Sequence, residues 1–321
     1  MYDFKVKLET ITPVHISSGN RYFFYLVKNG SRLNEDDVLS KFIEEKNIIE
    51  KIYHQNLRIK ELTQVFDEEL IDFIKKRNDL EVMYKIESYP TNLEPNKTVE
   101  EIFKSNGIPI IPGSTLKGLF LTSWIFDKLK KAQGIEKNKI KKFLKNSYKI
   151  FRSPTFPNKL REKINIPNFV VSDCLPDSEN SYKIKIKFVR IGTRKLAIEV
   201  LDEFVGTFSV GVNNDIDKNE LKKELKDACS TFFSNYCKKI EKIASEGIAQ
   251  DLNKIKENLK ENEVLVLIGR YCGFYSKTLY SILKELNVCK MKNVREPRSI
   301  RLITSDDEQK VIPGLTKLTF L

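Results

Sequence analysis

Apolar and polar residues alternate from Phe4 to Ile11, a period of two that reads as a half-buried strand. Arg21 to Val27 supplies a second, aromatic-rich strand, and the two are expected to form a hairpin whose connection carries His15, Ser17, Ser18 and Gly19. From Glu35 to about Lys76 the period changes: Val38, Phe42, Ile43 and Ile48, then Leu62, Phe66, Leu70, Ile71 and Ile74, recur at three- and four-residue steps. These helices, closed by the turn-rich stretch Pro90 to Lys97, are expected as an insertion at about 35–97. A second apolar run, Ile110-Ile111, stops at Pro112-Gly113 and restarts as a helix through Leu119, Phe120, Trp124 and Ile125 to Lys131.

Further on, Phe169 to Asp173 is short and apolar, and Lys183 to Ile191 alternates cleanly as a strand with one charged face. Leu196 to Val212 gives one or two more strands. Helical periodicity returns at Leu221 to Ile243 and Ile248 to Leu259, followed by the buried-strand run Val264 to Ile268, a glycine turn, and a helix from Tyr275 to Leu286. The tail holds an expected strand at Ile300-Arg301-Leu302 and a closing Pro313-Gly314 before Leu315 to Leu321. Strands, a helix, then more strands fit an α+β fold with a ferredoxin-like split sheet and helices on one side. At 321 residues the chain exceeds one typical domain, and the expected division is 1–212 and 213–321.

Charge narrows the class of partner. Lys and Arg total 56 against 44 Asp and Glu, a formal net charge of +12, which points to a polyanion. Five cysteines, odd in number and without a C-x-x-C pair, encode neither a disulfide framework nor a zinc site, so a reducing cytoplasm fits and no metal or cofactor is expected. The start lacks a charged leader with an apolar core, and no uncharged span is long enough to cross a bilayer, so a soluble, non-exported protein without membrane association is expected.

The bend at Ile110 to Gly118 is the first candidate for anion binding. Ser114 is placed to cap the following helix, whose unpaired first amides and dipole attract negative charge. Lys117 adds a mobile cation, while Gly113 and Gly118 leave room for another backbone. Ordinary strand-to-helix punctuation is the competing reading. A nucleotide-triphosphate loop is excluded, because Lys117 precedes Gly118 and Leu119 follows. The same construction recurs at Gly269-Arg270-Tyr271-Cys272-Gly273-Phe274, with Ser276, Lys277 and Thr278 in reach. Between the bends, Lys137 to Lys163 is heavily basic and interleaved with Phe143, Tyr148, Phe151 and Phe156, a mixture suited to single-stranded nucleic acid.

Three motifs resemble those of a known family. Thr12-Pro13-Val14-His15-Ile16-Ser17-Ser18-Gly19 resembles the amino-terminal "TPVHIGSG" signature of RAMP proteins, the repeat-associated family of CRISPR effector complexes. Ile111-Pro112-Gly113-Ser114-Thr115-Leu116-Lys117-Gly118 is similar to their "IPGSSLKG" loop. Leu267 to Thr278 is similar to the "GxGxGFxSKT" loop of one branch, the fifth subunit of the type III-A (Csm) complex. Ser17 stands where the family usually has Gly, and Arg270 and Cys272 stand where the loop often has smaller residues.

The resemblance implies a ferredoxin-like (RRM-like) RAMP domain with helical insertions and a second, degenerate RAMP-like or helical carboxy-terminal half. It implies binding of the 3′ portion of crRNA, capping of the filament of backbone RAMP subunits, and support for crRNA maturation by trimming nucleases recruited from elsewhere. The partners implied are crRNA and other Csm subunits, and no catalytic residues carry over.

Phosphates are expected at Ser114, Thr115, Lys117, Arg270, Ser276 and Lys277, with Arg152, Arg190 and Arg194 extending the track. The RNA-contacting set is completed by the loop residues His15, Ser17, Ser18, Gly19, Gly113, Gly118, Gly269, Gly273, Phe274 and Thr278. The rival is a metal-independent RAMP endoribonuclease acting on precursor crRNA with His15 as general acid or base. Such chemistry needs at least two positioned groups, and the chain has only His15 and His54. Asp173, Asp202 and Glu203 lack two-metal spacing.

Overall fold

The computed structural model describes residues 3–46, 67–146, 161–191, 193–212, 217–242, 246–272, 278–286, 301–304 and 310–321. In chain order these form β1 (Phe4–Thr10), β2 (Ser17–Phe23), a 3-10 turn (Phe24–Leu26), β3 (Val27–Lys28), β4 (Ser31–Leu33), α1 (Glu35–Lys46), α2 (Asp67–Lys76), β5 (Val82–Lys85), β6 (Thr98–Ile102), β7 (Lys104–Ser105) and β8 (Ile108–Pro109). They continue with α3 (Gly113–Lys131), α4 (Gly134–Asn146), β9 (Phe169–Val171), β10 (Leu175–Pro176), β11 (Lys183–Ile191), β12 (Arg194–Asp202), β13 (Val205–Val212), α5 (Lys218–Ile240), α6 (Glu246–Glu257), β14 (Glu263–Leu267), α7 (Tyr280–Glu285), β15 (Ile303–Thr304), β16 (Lys310–Val311) and β17 (Leu315–Phe320). Ile48, His54, Leu62 and Phe66 of the expected insertion lie outside the described residues. Among the described residues no helix is long and apolar enough to cross a membrane.

The fold is α+β, and the chain divides into two compact units. The first comprises residues 1–16, 110–182 and 202–321, the second 17–109 and 183–201. The expected boundary at 212/213 falls inside the first unit, between β13 and α5.

In the first unit β10, β13, β1, β17 and β14 lie side by side in that order, with β9 also on β13. β1 runs antiparallel to both its neighbours: Val6 faces Phe208 on one side and Phe320 on the other, and Leu8 faces Leu318. One face of this sheet is the core. Phe4, Val6, Leu8, Phe208 and Phe320 are buried there, and Phe120 of α3 meets the rings of Phe208 and Phe320 at 6.1 and 6.3 Å. Helix α5 completes the layer and begins at Asp217, whose Oδ1 accepts from the amides of Asn219 and Glu220 at 2.8 and 3.0 Å. The other face carries an ion ladder: Lys317 pairs with Glu9 at 2.7 Å and Glu263 at 3.4 Å, and Lys7 with Glu9 at 3.7 Å.

The second unit holds β11, β12, β6 and β2 in that order, with β12 parallel and β2 antiparallel to β6. It also holds the sheet β3-β4-β5 and the hairpin β7-β8.

The structure corrects the pairing of the first strands and refines other expectations. The hairpin of the first two strands does not form, because β1 pairs with β13 and β17 while β2 pairs with β6. Val14, His15 and Ile16 are buried, so the segment between them is not an exposed turn. The charged face of β11 is not solvated either: Lys185 and Lys187 are only 9% and 5% exposed. Alternation located the strand correctly, yet polarity alone did not say which face meets water. The tail strand is displaced to Ile303–Thr304, and the helix expected from Tyr275 is described over Tyr280–Glu285.

Candidate nucleic-acid interface

The first bend is built from two segments distant in sequence. Ile111 and Cys174 exchange main-chain hydrogen bonds at 3.1 and 2.9 Å, which carries Pro112-Gly113 against the end of β9. A Cβ on Gly113 would lie 2.3 Å from the Val171 carbonyl oxygen and 2.8 Å from Ser172 main-chain atoms, so only glycine fits. Its amide donates to Asp173 Oδ1 at 2.7 Å. Ser114 therefore does not cap α3: the helix starts at Gly113, the flanking Pro112 offers no side-chain cap, and a carboxylate sixty residues away takes the first amide. Part of the dipole attraction expected of this helix start is therefore answered internally, by Asp173.

What remains outward is side-chain chemistry. Leu116 and Phe120 point into the core, whereas Ser114 and Gly118 are exposed and Thr115 and Lys117 half-buried, so Ser114, Lys117 and Gly118 share one outward face. Space around a Cβ at Gly118 is open to 4 Å. Lys117 Nζ lies 5.8 Å from the Phe169 ring centroid.

The second bend follows β14. Gly269 sits at φ +96°, and a Cβ there would lie 2.6 Å from the His15 carbonyl oxygen. Arg270 donates its amide to that oxygen at 2.8 Å, Gly314 donates to Pro13 O at 2.9 Å, and Ile268 donates to Gly314 O at 2.9 Å. Thr12 Oγ1 donates to Ile312 O at 2.7 Å and accepts from the Leu315 amide at 2.8 Å. The motif from Thr12 to Ile16 thus stitches the ends of β1, β14 and β17 together. His15 is 1% exposed, its ring 5.3 Å from that of Tyr271. The guanidinium groups of Arg270 and Arg301 lie 5.7 and 5.8 Å from the Tyr271 ring, and both residues are exposed. Sequence reading placed Arg301 in a strand and missed it, since nothing local ties it to a ring thirty residues away.

The bends do not converge. Gly113 stands against β9 at one edge of the sheet and Gly269 follows β14 at the other, with β13, β1 and β17 between them. Four strand spacings make that about 19 Å. Helix α4 exposes Lys137, Lys139 and Lys142. Arg152, Gly273, Phe274, Ser276 and Lys277 lie outside the described residues, as do Tyr148, Phe151 and Phe156; Thr278 is half-buried.

In the second unit Ser17 and Ser18 close short turns at the start of β2: Gly19 N donates to Ser17 Oγ at 3.1 Å and Asn20 N to Ser18 Oγ at 3.0 Å. Ser18 Oγ donates to Glu101 O at 3.3 Å. Behind them lies a polar cluster that alternation did not reveal. Glu199, fully buried, accepts from Tyr22 at 2.7 Å, Tyr84 at 2.8 Å, the Ile102 amide at 3.1 Å and Lys104 Nζ at 2.6 Å. Burial and the Glu199 charge together push the Tyr22 and Tyr84 phenols well up, so both stay protonated donors. Burial would raise Glu101, but the Lys104 ammonium, the Tyr84 hydroxyl and the Arg32 charge together outweigh it and hold that carboxyl below its usual value. Arg190 and Arg194 are exposed where β11 ends and β12 begins, beside Lys195, whose Nζ is 5.4 Å from the Phe188 ring.

Among the described residues no cluster of His, Cys, Asp and Glu is disposed to hold a metal ion. The family model of the RAMP superfamily matches residues 7–248. No curated protein matches the sequence. Among solved structures, a chain of a cryo-EM Csm–crRNA–target RNA ternary complex of a type III-A CRISPR-Cas system is similar over 99% of this chain and 100% of that one, at 13% identity and a TM-score of 0.64. The crystal structure of T. onnurineus Csm5 is similar over 97% of this chain and 99% of that one, at 15% identity and a TM-score of 0.59.

Proposed function

The chain belongs to the RAMP superfamily, and from that premise we propose that it is a non-catalytic crRNA-binding subunit of a type III-A CRISPR effector complex. In this reading it is the fifth Csm subunit, holds the 3′ portion of the guide, caps the filament of backbone RAMP subunits and supports trimming by recruited nucleases. The observation that carries the reading is the extent of the likeness: both neighbours are matched over nearly their whole length, covering both compact units, and one is a chain of a complex that contains crRNA.

The geometry supports contacts to the sugar-phosphate chain over base readout. The outward offerings are a hydroxyl at Ser114, an ammonium at Lys117 and guanidiniums at Arg270 and Arg194, while Lys7, Glu9 and Lys317 on the face of the first sheet away from Phe4 and Phe320 are paired charges. A subunit that serves many guides needs such indifference to sequence. His15, buried between main-chain bonds and Tyr271, is a joint of the fold in this reading.

The test is co-purification with the remaining complex subunits and sequencing of the bound RNA ends. Enrichment of guide 3′ ends is expected, and their absence refutes the proposal. Incubation with labelled precursor crRNA, with and without chelator, is expected to leave it uncut; cleavage abolished in His15→Ala would replace this reading with the endoribonuclease.

A further inference from the structure

Away from both glycine bends, the first unit has a groove of about 310 Å³ at the start of β14, lined by Asn219, Lys222, Lys223, Lys226, Glu261 and Asn262 over the buried Phe320. Gly269 follows the opposite end of β14. Lys222 Nζ donates to the Leu321 main-chain oxygen and Lys226 Nζ to the Glu261 main-chain oxygen, both at 2.8 Å. The floor is fixed too, since the Phe320 amide donates to Asn262 O at 3.0 Å and Asn262 Nδ2 donates to Phe320 O at 3.3 Å.

Most surface lysines have free stems and lose rotamer entropy when they meet an anion. Here two ammonium heads are anchored on main-chain oxygens, and each uses one of its three donors to do so. Among the described lining side chains, three ammonium groups stand against one carboxylate, Glu261, which leaves the groove net positive. We propose that it is a phosphate-binding seat for a single RNA strand, separate from the glycine bends; this rests on the RNA-binding reading above. An acidic peptide is the weaker fit. Carboxylates are matched best by the forked guanidinium, and the described lining holds no arginine, whereas the ammonium acts as a point charge toward phosphate oxygens. Phe320, the apolar side chain among the described lining residues, is too buried to receive a peptide side chain.

The experiment compares the full chain with the K222Q/K223Q/K226Q and K222R/K223R/K226R variants, using anisotropy of labelled single-stranded RNA over a salt series. With one phosphate per lysine, the Gln variant is expected to bind about tenfold or more weakly and its salt slope to flatten by about 2, while the Arg variant keeps wild-type behaviour. Unchanged affinity and slope in the Gln variant overturn the proposal and leave the RNA-binding reading intact. A wild type that binds no RNA refutes that reading separately, and inorganic pyrophosphate then judges the groove. Broadening of its 31P line by the wild type but not by the Gln variant supports an anion seat, and equal broadening by both overturns it. Displacement of RNA by poly-glutamate at equal charge, lost in the Gln variant, overturns it in favour of an acidic protein. Matching unfolding midpoints for the three proteins exclude a folding defect as the cause.

Discussion

Gly118 offers a test in which stability and binding should move in opposite directions. It lies in the second turn of α3, on the outward face beside Ser114 and Lys117, and nothing stands within 4 Å of where its Cβ would be. Its helical position makes no demand for positive φ, so alanine fits without strain. A mid-helix Gly→Ala change then adds about 0.5–1 kcal/mol, because glycine loses more backbone freedom on folding. For a domain of about 150–250 residues that raises the midpoint by about 1–4 °C. If a sugar-phosphate chain passes over this face, the added methyl intrudes on it, and an affinity loss of about tenfold corresponds to about 1.4 kcal/mol.

Gly113→Ala is the control. Its methyl would collide with the Val171 and Ser172 main chain at 2.3 and 2.8 Å, and displacing a strand end costs about 1–3 kcal/mol. Differential scanning calorimetry and RNA anisotropy on both variants give the four numbers required. A Gly118→Ala protein that is more stable yet binds RNA as the wild type does removes this helix face from the interface. One that is less stable shows that the space above Gly118 is not open.

The other expectations are simpler. If about four to six phosphates are neutralised, log K for single-stranded RNA should fall with log salt at a slope of about −3 to −4, and Lys117→Ala should weaken unrelated guides alike; a flat salt response would argue against backbone contacts. Glu199→Ala leaves the buried Tyr22 hydroxyl and Ile102 amide without their acceptor and Lys104 with Glu101 as its remaining carboxylate, and should cost about 3–5 kcal/mol in denaturant unfolding, whereas a loss below about 1 kcal/mol would mean that water replaces the carboxylate. Glu101, held below its usual 4.5 in the fold, contributes stability that is present above that value and lost as pH falls through its lowered one. Glu101→Gln should therefore flatten the acid limb of a stability–pH curve measured below about pH 4.5. Burial pushes the Cys229 thiol up to about 12 and Cys237 to about 11, so neither, nor the buried Cys174 and Cys272, should react with a thiol reagent at pH 8 until the chain unfolds; rapid labelling of the native protein at any of the four would contradict the packing.

Local periodicity determined most of the elements. The strand from Lys183 to Ile191 was legible to the residue because its alternation is uninterrupted, and α5 nearly so because apolar residues recur at helical steps for more than five turns. The turn chemistry of Pro112-Gly113 and the glycine after β14 was legible as well, since few residues tolerate those backbone positions. Pairing was not. Whether β1 turns back on β2 or leaves for another sheet depends on which apolar faces meet across two hundred residues, and no window of sequence holds that information. The charges follow the same rule. Asp173 at the Gly113 amide, Glu199 among its four donors, and the anchored lysines beside Asn262 are contacts between distant segments, so only the folded chain decides which charges are answered internally and which face outward to a ligand.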